Sequence, residues 1–260
     1  MDPVLQLVGN KDDEYYISRN NAKLITVPSF LDYINAGLDM NLVAGVDFTA
    51  SNGDPNTANS LHNINGGMNQ YMSAIHEVSK ILLNFDTDKE VPLFGFGAVL
   101  PGGQGAKHWF AMNGNIFRPE VHDIEGITEC YQRNVRQLKF SGPTYFAPLL
   151  KMWNEMVDFE HSHNKLKYYI YLILTDGVIH DMDETIDCIV QSSSLPVSII
   201  IIGVGNADFS GMDFLDADDE RLFSSRYQKF QERDNVQFVE FNKFRSKLID
   251  NYFRQHTLIG

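Results

Sequence analysis

The sequence predicts an α/β domain built on an open, doubly wound and mostly parallel sheet that is flanked by helices. Apolar segments of strand length alternate with segments of helical period along most of the 260 residues. Two of the strand-length segments are apolar at successive positions, as central strands covered on both faces require. The hydrophobic fraction of 43% is large enough to fill an extensive core.

Five segments have the length and apolar composition of strands, and three segments between them have the spacing of amphipathic helices. The strand segments are 42–47, 91–97, 168–176, 197–205 and 236–241. The helical stripes are formed by Tyr71, Ile75, Val78 and Leu82, by Ile124, Ile127, Tyr131 and Leu138, and by Phe146, Leu150, Trp153 and Val157. Alternation of strand and helix favours parallel crossover connections, so ligands are expected at the carboxyl ends of the strands.

The domain organisation is expected to be simple. Residues 1–27 alternate weakly between apolar and polar and predict a short extension with edge strands, whereas 28–260 predict the main domain. The first residues are acidic and lack the apolar stretch of a signal peptide. The longest apolar runs are too short to cross a bilayer. We therefore expect a cytoplasmic protein without direct membrane insertion.

Charge and cysteine content exclude several classes of function. The net charge is −13 and no cationic stripe is present, which argues against a nucleic-acid partner. The chain has two cysteines, Cys130 and Cys188, both inside helical patterns. We expect them to be buried free thiols, and the absence of a Cys-x-x-Cys pair leaves a structural zinc site unsupported.

Oxygen-bearing side chains follow three segments that are expected to reach the same edge of the sheet. The first strand ends in Asp47, Thr49 and Ser51, the strand at 168–176 ends in Asp176, and a Gly-Pro-Thr loop contributes Thr144. Each motif alone is typical of a turn or a helix cap. Together they form an all-oxygen set that suits Mg²⁺ or Mn²⁺, with Ca²⁺ also possible. At most five protein ligands leave a coordination position for water or for a partner's carboxylate.

The Asp-x-Thr-x-Ser, loop threonine and Thr-Asp-Gly motifs resemble the metal-ion-dependent adhesion site (MIDAS) of von Willebrand factor A domains. The surrounding sequence is similar to the A domain of the copines, a family of intracellular calcium-responsive proteins. The similarity extends from about Pro28 to Phe241. It is carried by segments such as "NLVAGVDFTASNGDP", "GPTYFAP", "LILTDGVIHDMDETIDCIV" and "VSIIIIGVGNADFSGMDFLD".

The resemblance implies a domain without catalytic activity that binds protein partners through a divalent cation. The metal ligands would be Asp47, Thr49, Ser51, Thr144 and Asp176, and an acidic residue of the partner would complete the shell. Thr49 stands where many such sites have serine, which is an equivalent ligand. Copines usually carry two N-terminal calcium- and lipid-binding modules. Calcium-dependent phospholipid binding, or recruitment to the plasma membrane, would depend on such modules and would therefore be indirect for this chain.

Two alternatives and one extension of the site remain open at the level of sequence. A metal-dependent phosphatase or hydrolase could use the same kind of sheet, but Thr49 occupies the position where such an enzyme needs a second acid. A purely structural domain with a vestigial site is the other alternative. The polar loop that carries Asp54, Asn59 and His62 is expected to lie at the rim of the metal face, where its side chains could determine which partners bind.

Overall fold

The computed structural model describes residues 38–163, 167–217 and 220–245. Apart from Leu38, these residues belong to one compact unit, Asp39–Gly260. The extension predicted over residues 1–27 lies outside the described residues, so the domain boundary at residue 28 stays a prediction.

Eleven strands and five helices lie wholly within the described residues, and residues 241–245 are helical as well. The strands are β1 (Asp39–Asp47), β2 (Glu90–Phe96), β3 (Ala98–Val99), β4 (Phe110–Ala111), β5 (Glu120–His122), β6 (Lys139–Phe140), β7 (Lys167–Thr175), β8 (Val197–Gly203), β9 (Phe223–Ser224), β10 (Lys229–Phe230) and β11 (Val236–Glu240). The helices are α1 (Gln70–Leu82), α2 (Asp123–Gln137), α3 (Ala147–Ser162), α4 (Met182–Ser192) and α5 (Ser210–Asp216).

The main sheet has the strand order β11-β8-β7-β1-β2-β4, and β5 also pairs with β2. The five long strands are parallel to their neighbours, whereas β4 and β5 run antiparallel to β2. The chain moves from β1 to β2 on one side and later enters β7 on the other side. The topological switch point therefore lies between the carboxyl ends of β1 and β7. The predicted fold class is confirmed, and each strand and helix predicted between residues 42 and 241 is present.

The two central strands are buried along nearly their whole length, because helices cover both faces of the sheet. On one face α3 packs against the sheet through Trp153, whose ring lies 4.9 Å from that of Tyr171. A Cβ atom at Gly45 would lie 2.7 Å from the side chain of Leu149, so the glycine allows this close approach of helix and strand.

The expectation for the two cysteines is borne out. Cys130 and Cys188 are free and buried, and burial raises the pKa of both thiols. Within the described ranges, no helix has the length and hydropathy needed to traverse a bilayer.

Candidate metal centre

Asp47 is the last residue of β1 and is fully buried at the switch point of the sheet. Its Oδ1 atom accepts hydrogen bonds from the Thr49 amide at 2.8 Å and from the Thr49 hydroxyl at 2.6 Å. Its Oδ2 atom accepts a third from the Thr175 hydroxyl at 2.8 Å. Three donors from two neighbouring strand ends thus hold the carboxylate in one orientation.

The loop after β1 brings its two hydroxyls together. Thr49 Oγ1 lies 3.0 Å from Ser51 Oγ, and a short 3₁₀ turn, Ala50–Asn52, follows Thr49. Thr49 is buried, whereas Ser51 is exposed. Asp47, Thr49 and Ser51 therefore form one chain of oxygens that leads from the interior to the surface.

Asp176 directly follows β7, the strand that pairs with β1. The side chain is 6% exposed, and its Oδ1 atom has no hydrogen-bond partner among the described residues. A buried carboxylate oxygen without a partner carries a desolvation cost, which a bound cation would offset.

Backbone hydrogen bonds place the Thr144 loop beside the other two loops. The Ala50 amide donates to the Ser141 carbonyl at 2.6 Å, which ties this loop to the one after β1. The His180 amide donates to the Thr144 carbonyl at 3.0 Å, which ties it to the loop after Asp176. Thr144 is buried and follows a cis Gly142–Pro143 peptide bond.

Asp181 strengthens the same junction. Its Oδ1 atom accepts from the Phe146 amide at 3.1 Å and its Oδ2 atom from the Ala147 amide at 2.8 Å. These amides lie at the start of α3, where helix geometry leaves N–H groups without partners. Asp181 therefore caps α3 from the β7–α4 connection, a role that no local sequence pattern indicates because the two segments are far apart in sequence.

The electrostatics of the site favour a bound cation. Burial and, secondarily, the charge of Asp176 raise the pKa of Asp47 to about 7. Burial raises the pKa of Asp176 as well, and the Ser51 hydroxyl partly offsets this rise. Within the described part of the chain, neither carboxylate forms an ion pair with a lysine or arginine. A divalent cation would neutralise both carboxylates and satisfy Asp176 Oδ1.

The donor set fits a hard cation rather than zinc or copper. The described residues contain no group of three or more histidine, cysteine, aspartate or glutamate side chains that could hold a metal. The candidate centre has two carboxylates, and its remaining donors are the hydroxyls of Thr49, Ser51 and Thr144. Such all-oxygen sets suit Mg²⁺, Mn²⁺ and Ca²⁺.

The expectation that His62 reads partners at the rim was wrong, because His62 is fully buried. Its Nε2 atom lies 2.8 Å from the Asp47 carbonyl and donates to it, which leaves Nδ1 to accept from the Tyr131 hydroxyl at 2.7 Å. Burial lowers the pKa of His62 to about 3, so the ring is neutral. His62 therefore supports the end of β1 from the interior of the domain. Asp54 and Asn59, by contrast, are exposed as expected.

Two comparisons with known sequences indicate the same family. Residues 60–259 match the family model described as Copine. The chain is 43% identical over 229 residues to Copine-A of Dictyostelium discoideum, an alignment that covers 88% of this chain and 38% of that protein. The chain thus spans well under half the length of that relative.

Solved structures give more distant matches. Manganese-loaded TRAP protein of Plasmodium vivax is 13% identical with a TM-score of 0.47, covering 79% of this chain and 70% of its own. Proximal thread matrix protein 1 from the mussel byssus is 15% identical with a TM-score of 0.40, covering 78% of this chain and 44% of its own. These similarities are too distant to bear on function.

Proposed function

Since the chain belongs to the copine family, we propose that it is a non-catalytic A-type domain that binds protein partners through a divalent cation. Asp47, Thr49, Ser51, Thr144 and Asp176 would hold the cation, directly or through water. Mg²⁺ or Mn²⁺ is the favoured ion, and Ca²⁺ is the alternative. The open coordination position would accept a carboxylate oxygen from an acidic residue of the partner.

One observation carries this proposal. Asp47 and Asp176 lie at adjacent strand ends as buried carboxylates without a basic counter-charge among the described residues, and Asp176 Oδ1 has no hydrogen-bond partner there. This arrangement is costly for the metal-free chain, and a bound divalent cation would offset the cost. The exposed Ser51 hydroxyl marks the side from which a partner could reach the ion.

The arrangement gives little support to a hydrolase. A phosphotransfer site needs a second acid near the first aspartate and a basic clamp for phosphate. Here Thr49 occupies the place of the second acid, and its hydroxyl donates to Asp47.

Membrane association and cell location belong to the proposal only indirectly. We place the domain in the cytoplasm, where lipid-binding modules joined to it could bring it to the plasma membrane in response to calcium. The domain itself would contribute the contact with the protein partner.

Calorimetric titration of Mg²⁺, Mn²⁺ and Ca²⁺ tests the metal site directly. Ser51→Ala removes an exposed hydroxyl ligand and should weaken binding by about tenfold or more, since each lost oxygen ligand costs on the order of 1–3 kcal/mol. Ser225→Ala, at another exposed serine, is the matched control and should bind as the native chain does. Equal affinity of both variants, or no binding by the native chain, would overturn the proposal.

A further inference from the structure

A groove with a volume of about 840 Å³ runs between α3 and α4, and the β9–β10 hairpin forms one of its sides. Lys151 and Glu155 line it from α3, Glu184 and Asp187 from α4, and Arg226 from the hairpin. The Ser224 hydroxyl donates to Asp187 Oδ1 at 2.5 Å, so the hairpin is anchored to α4 beside the groove.

One end of the groove lies beside the candidate metal centre. Tyr145 and His180 line this end, and Tyr145 directly follows the proposed ligand Thr144. The His180 amide donates to the Thr144 carbonyl at 3.0 Å. A chain that occupies the groove would therefore pass beside the loops that would hold the cation.

The wall of the groove contains a buried acceptor that lacks a donor. Asn154 is 7% exposed and lies on α3. Its Nδ2 atom donates to the Cys188 carbonyl at 2.9 Å, whereas its Oδ1 atom has no partner among the described residues. A buried amide oxygen normally accepts a hydrogen bond. A backbone N–H of a bound polypeptide would supply the missing donor.

The charges of the groove favour a polypeptide over a polyanion. Five carboxylates line it (Glu155, Asp158, Asp181, Glu184 and Asp187), and they would repel phosphate groups. Three cations, Lys151, Arg226 and Lys229, offset only three of these five carboxylates, so the groove keeps an excess of negative charge. A neutral or weakly basic segment therefore suits the groove better than an acidic one.

We propose that this groove binds an extended segment of the protein partner whose acidic residue completes the metal shell. This inference rests on the proposed function and adds the partner's chemistry: an extended chain that donates a backbone N–H to Asn154 Oδ1. Asn154 lies about two helical turns, roughly 10 Å, beyond the start of α3. Because an extended chain advances about 3.3 Å per residue, this distance corresponds to about three residues, so the acidic residue should lie at least about three positions before or after the residue opposite Asn154.

The test uses a displayed library of random peptides of about twelve residues, long enough to span the groove and the metal face. Selection is performed on the native chain in Mg²⁺ and repeated with chelator. Glu155→Trp fills the groove from an exposed position of α3. Glu129→Trp, at an exposed position of α2, makes the same exchange away from the groove. Both variants are checked for native thermal stability.

Selected peptides should share an acidic residue at a fixed distance from their groove-binding part. They should bind the Glu129→Trp variant as tightly as the native chain and the Glu155→Trp variant about tenfold or more weakly. Metal-dependent peptides that bind both variants equally would overturn the groove proposal while leaving the metal site intact. If the selected peptides instead bind the Glu155→Trp variant weakly but bind the native chain equally well with and without chelator, the proposed metal function would be contradicted. The absence of any enriched peptide would also overturn the groove proposal.

Discussion

The Thr175 hydroxyl donates a hydrogen bond to Asp47 Oδ2 at 2.8 Å, and both residues are fully buried. The bond crosses from the end of β7 to the end of β1, the two strands that flank the switch point. Thr175 also accepts from the Gly177 amide at 3.2 Å. One hydroxyl therefore orients the Asp47 carboxylate and fixes the turn that presents Asp176, so both strand ends depend on it.

We expect Thr175→Val to lower the free energy of unfolding of the metal-free chain by about 1–3 kcal/mol, because a buried carboxylate oxygen and a buried amide both lose a partner. Metal affinity should fall as well, since Asp47 would no longer be held in place. Denaturant unfolding and calorimetry measure the two effects. Thr175→Ser keeps the hydroxyl and should retain most of both properties, and equal behaviour of the two variants would contradict this account.

Asp176→Asn should separate stability from metal binding. The substitution keeps the size of the side chain and removes one carboxylate from a pair that lacks a basic counter-charge in the described structure. We expect the metal-free variant to be as stable as the native chain or more stable, as is common at functional sites. The stabilisation that saturating Mg²⁺ or Mn²⁺ confers on the native chain, about 2.7 kcal/mol at a hundredfold excess over Kd, should disappear.

Thermal unfolding with metal and with chelator measures this stabilisation. Asp183→Asn, at an exposed position in the first turn of α4, makes the same chemical change away from the candidate centre. It should retain the full response to metal. A metal-dependent rise in Tm that persists in Asp176→Asn would remove Asp176 from the ligand set.

The sequence was sufficient for the fold class because the central strands are apolar on both faces and the helices between them are amphipathic. It also pointed to Asp47, Thr49, Ser51 and Asp176, because each follows or ends a strand of a parallel sheet, and their role as metal ligands stays a prediction. It did not reveal His62, Thr175 or Asp181 as supporting residues. Their contacts join segments that are distant in sequence, and no local pattern marks a buried histidine or a cap donated from another loop. The short strands β4 and β5 were missed because two or three residues carry no periodicity.

Asp181→Ala should loosen the junction between the Thr144 loop and the start of α3. The amides of Phe146 and Ala147 would both lose their acceptor, and we expect a loss of about 1–3 kcal/mol in the free energy of unfolding. Because the same junction positions Thr144, metal affinity should also decrease. Denaturant unfolding and calorimetry on the same preparations measure both. Asp181→Asn retains one acceptor and should lie between the native chain and Asp181→Ala; a reversed order would contradict the capping role.

Gly97 follows β2 and adopts a φ of +76°, and its Cα faces the candidate metal loop. A Cβ atom built there would lie 2.1 Å from Thr49 Cγ2 and 3.1 Å from the Thr49 amide nitrogen. Gly102 has a nearly equal φ of +73°, yet a Cβ atom at that position meets nothing within 4 Å. The two glycines thus share the backbone strain that alanine would introduce, but only Gly97 contacts a proposed ligand.

Gly97→Ala should therefore displace Thr49 and weaken metal binding, in addition to the cost of about 1 kcal/mol that alanine incurs at a positive φ. Gly102→Ala should show the backbone cost alone and bind metal with native affinity, because nothing near its side chain has to move. Calorimetric titration of Mg²⁺ or Mn²⁺ into both variants, with unfolding free energies measured in parallel, distinguishes the two effects. If both variants lose stability by the same amount and keep native metal affinity, Thr49 tolerates the displacement and its hydroxyl is not a ligand on which binding depends.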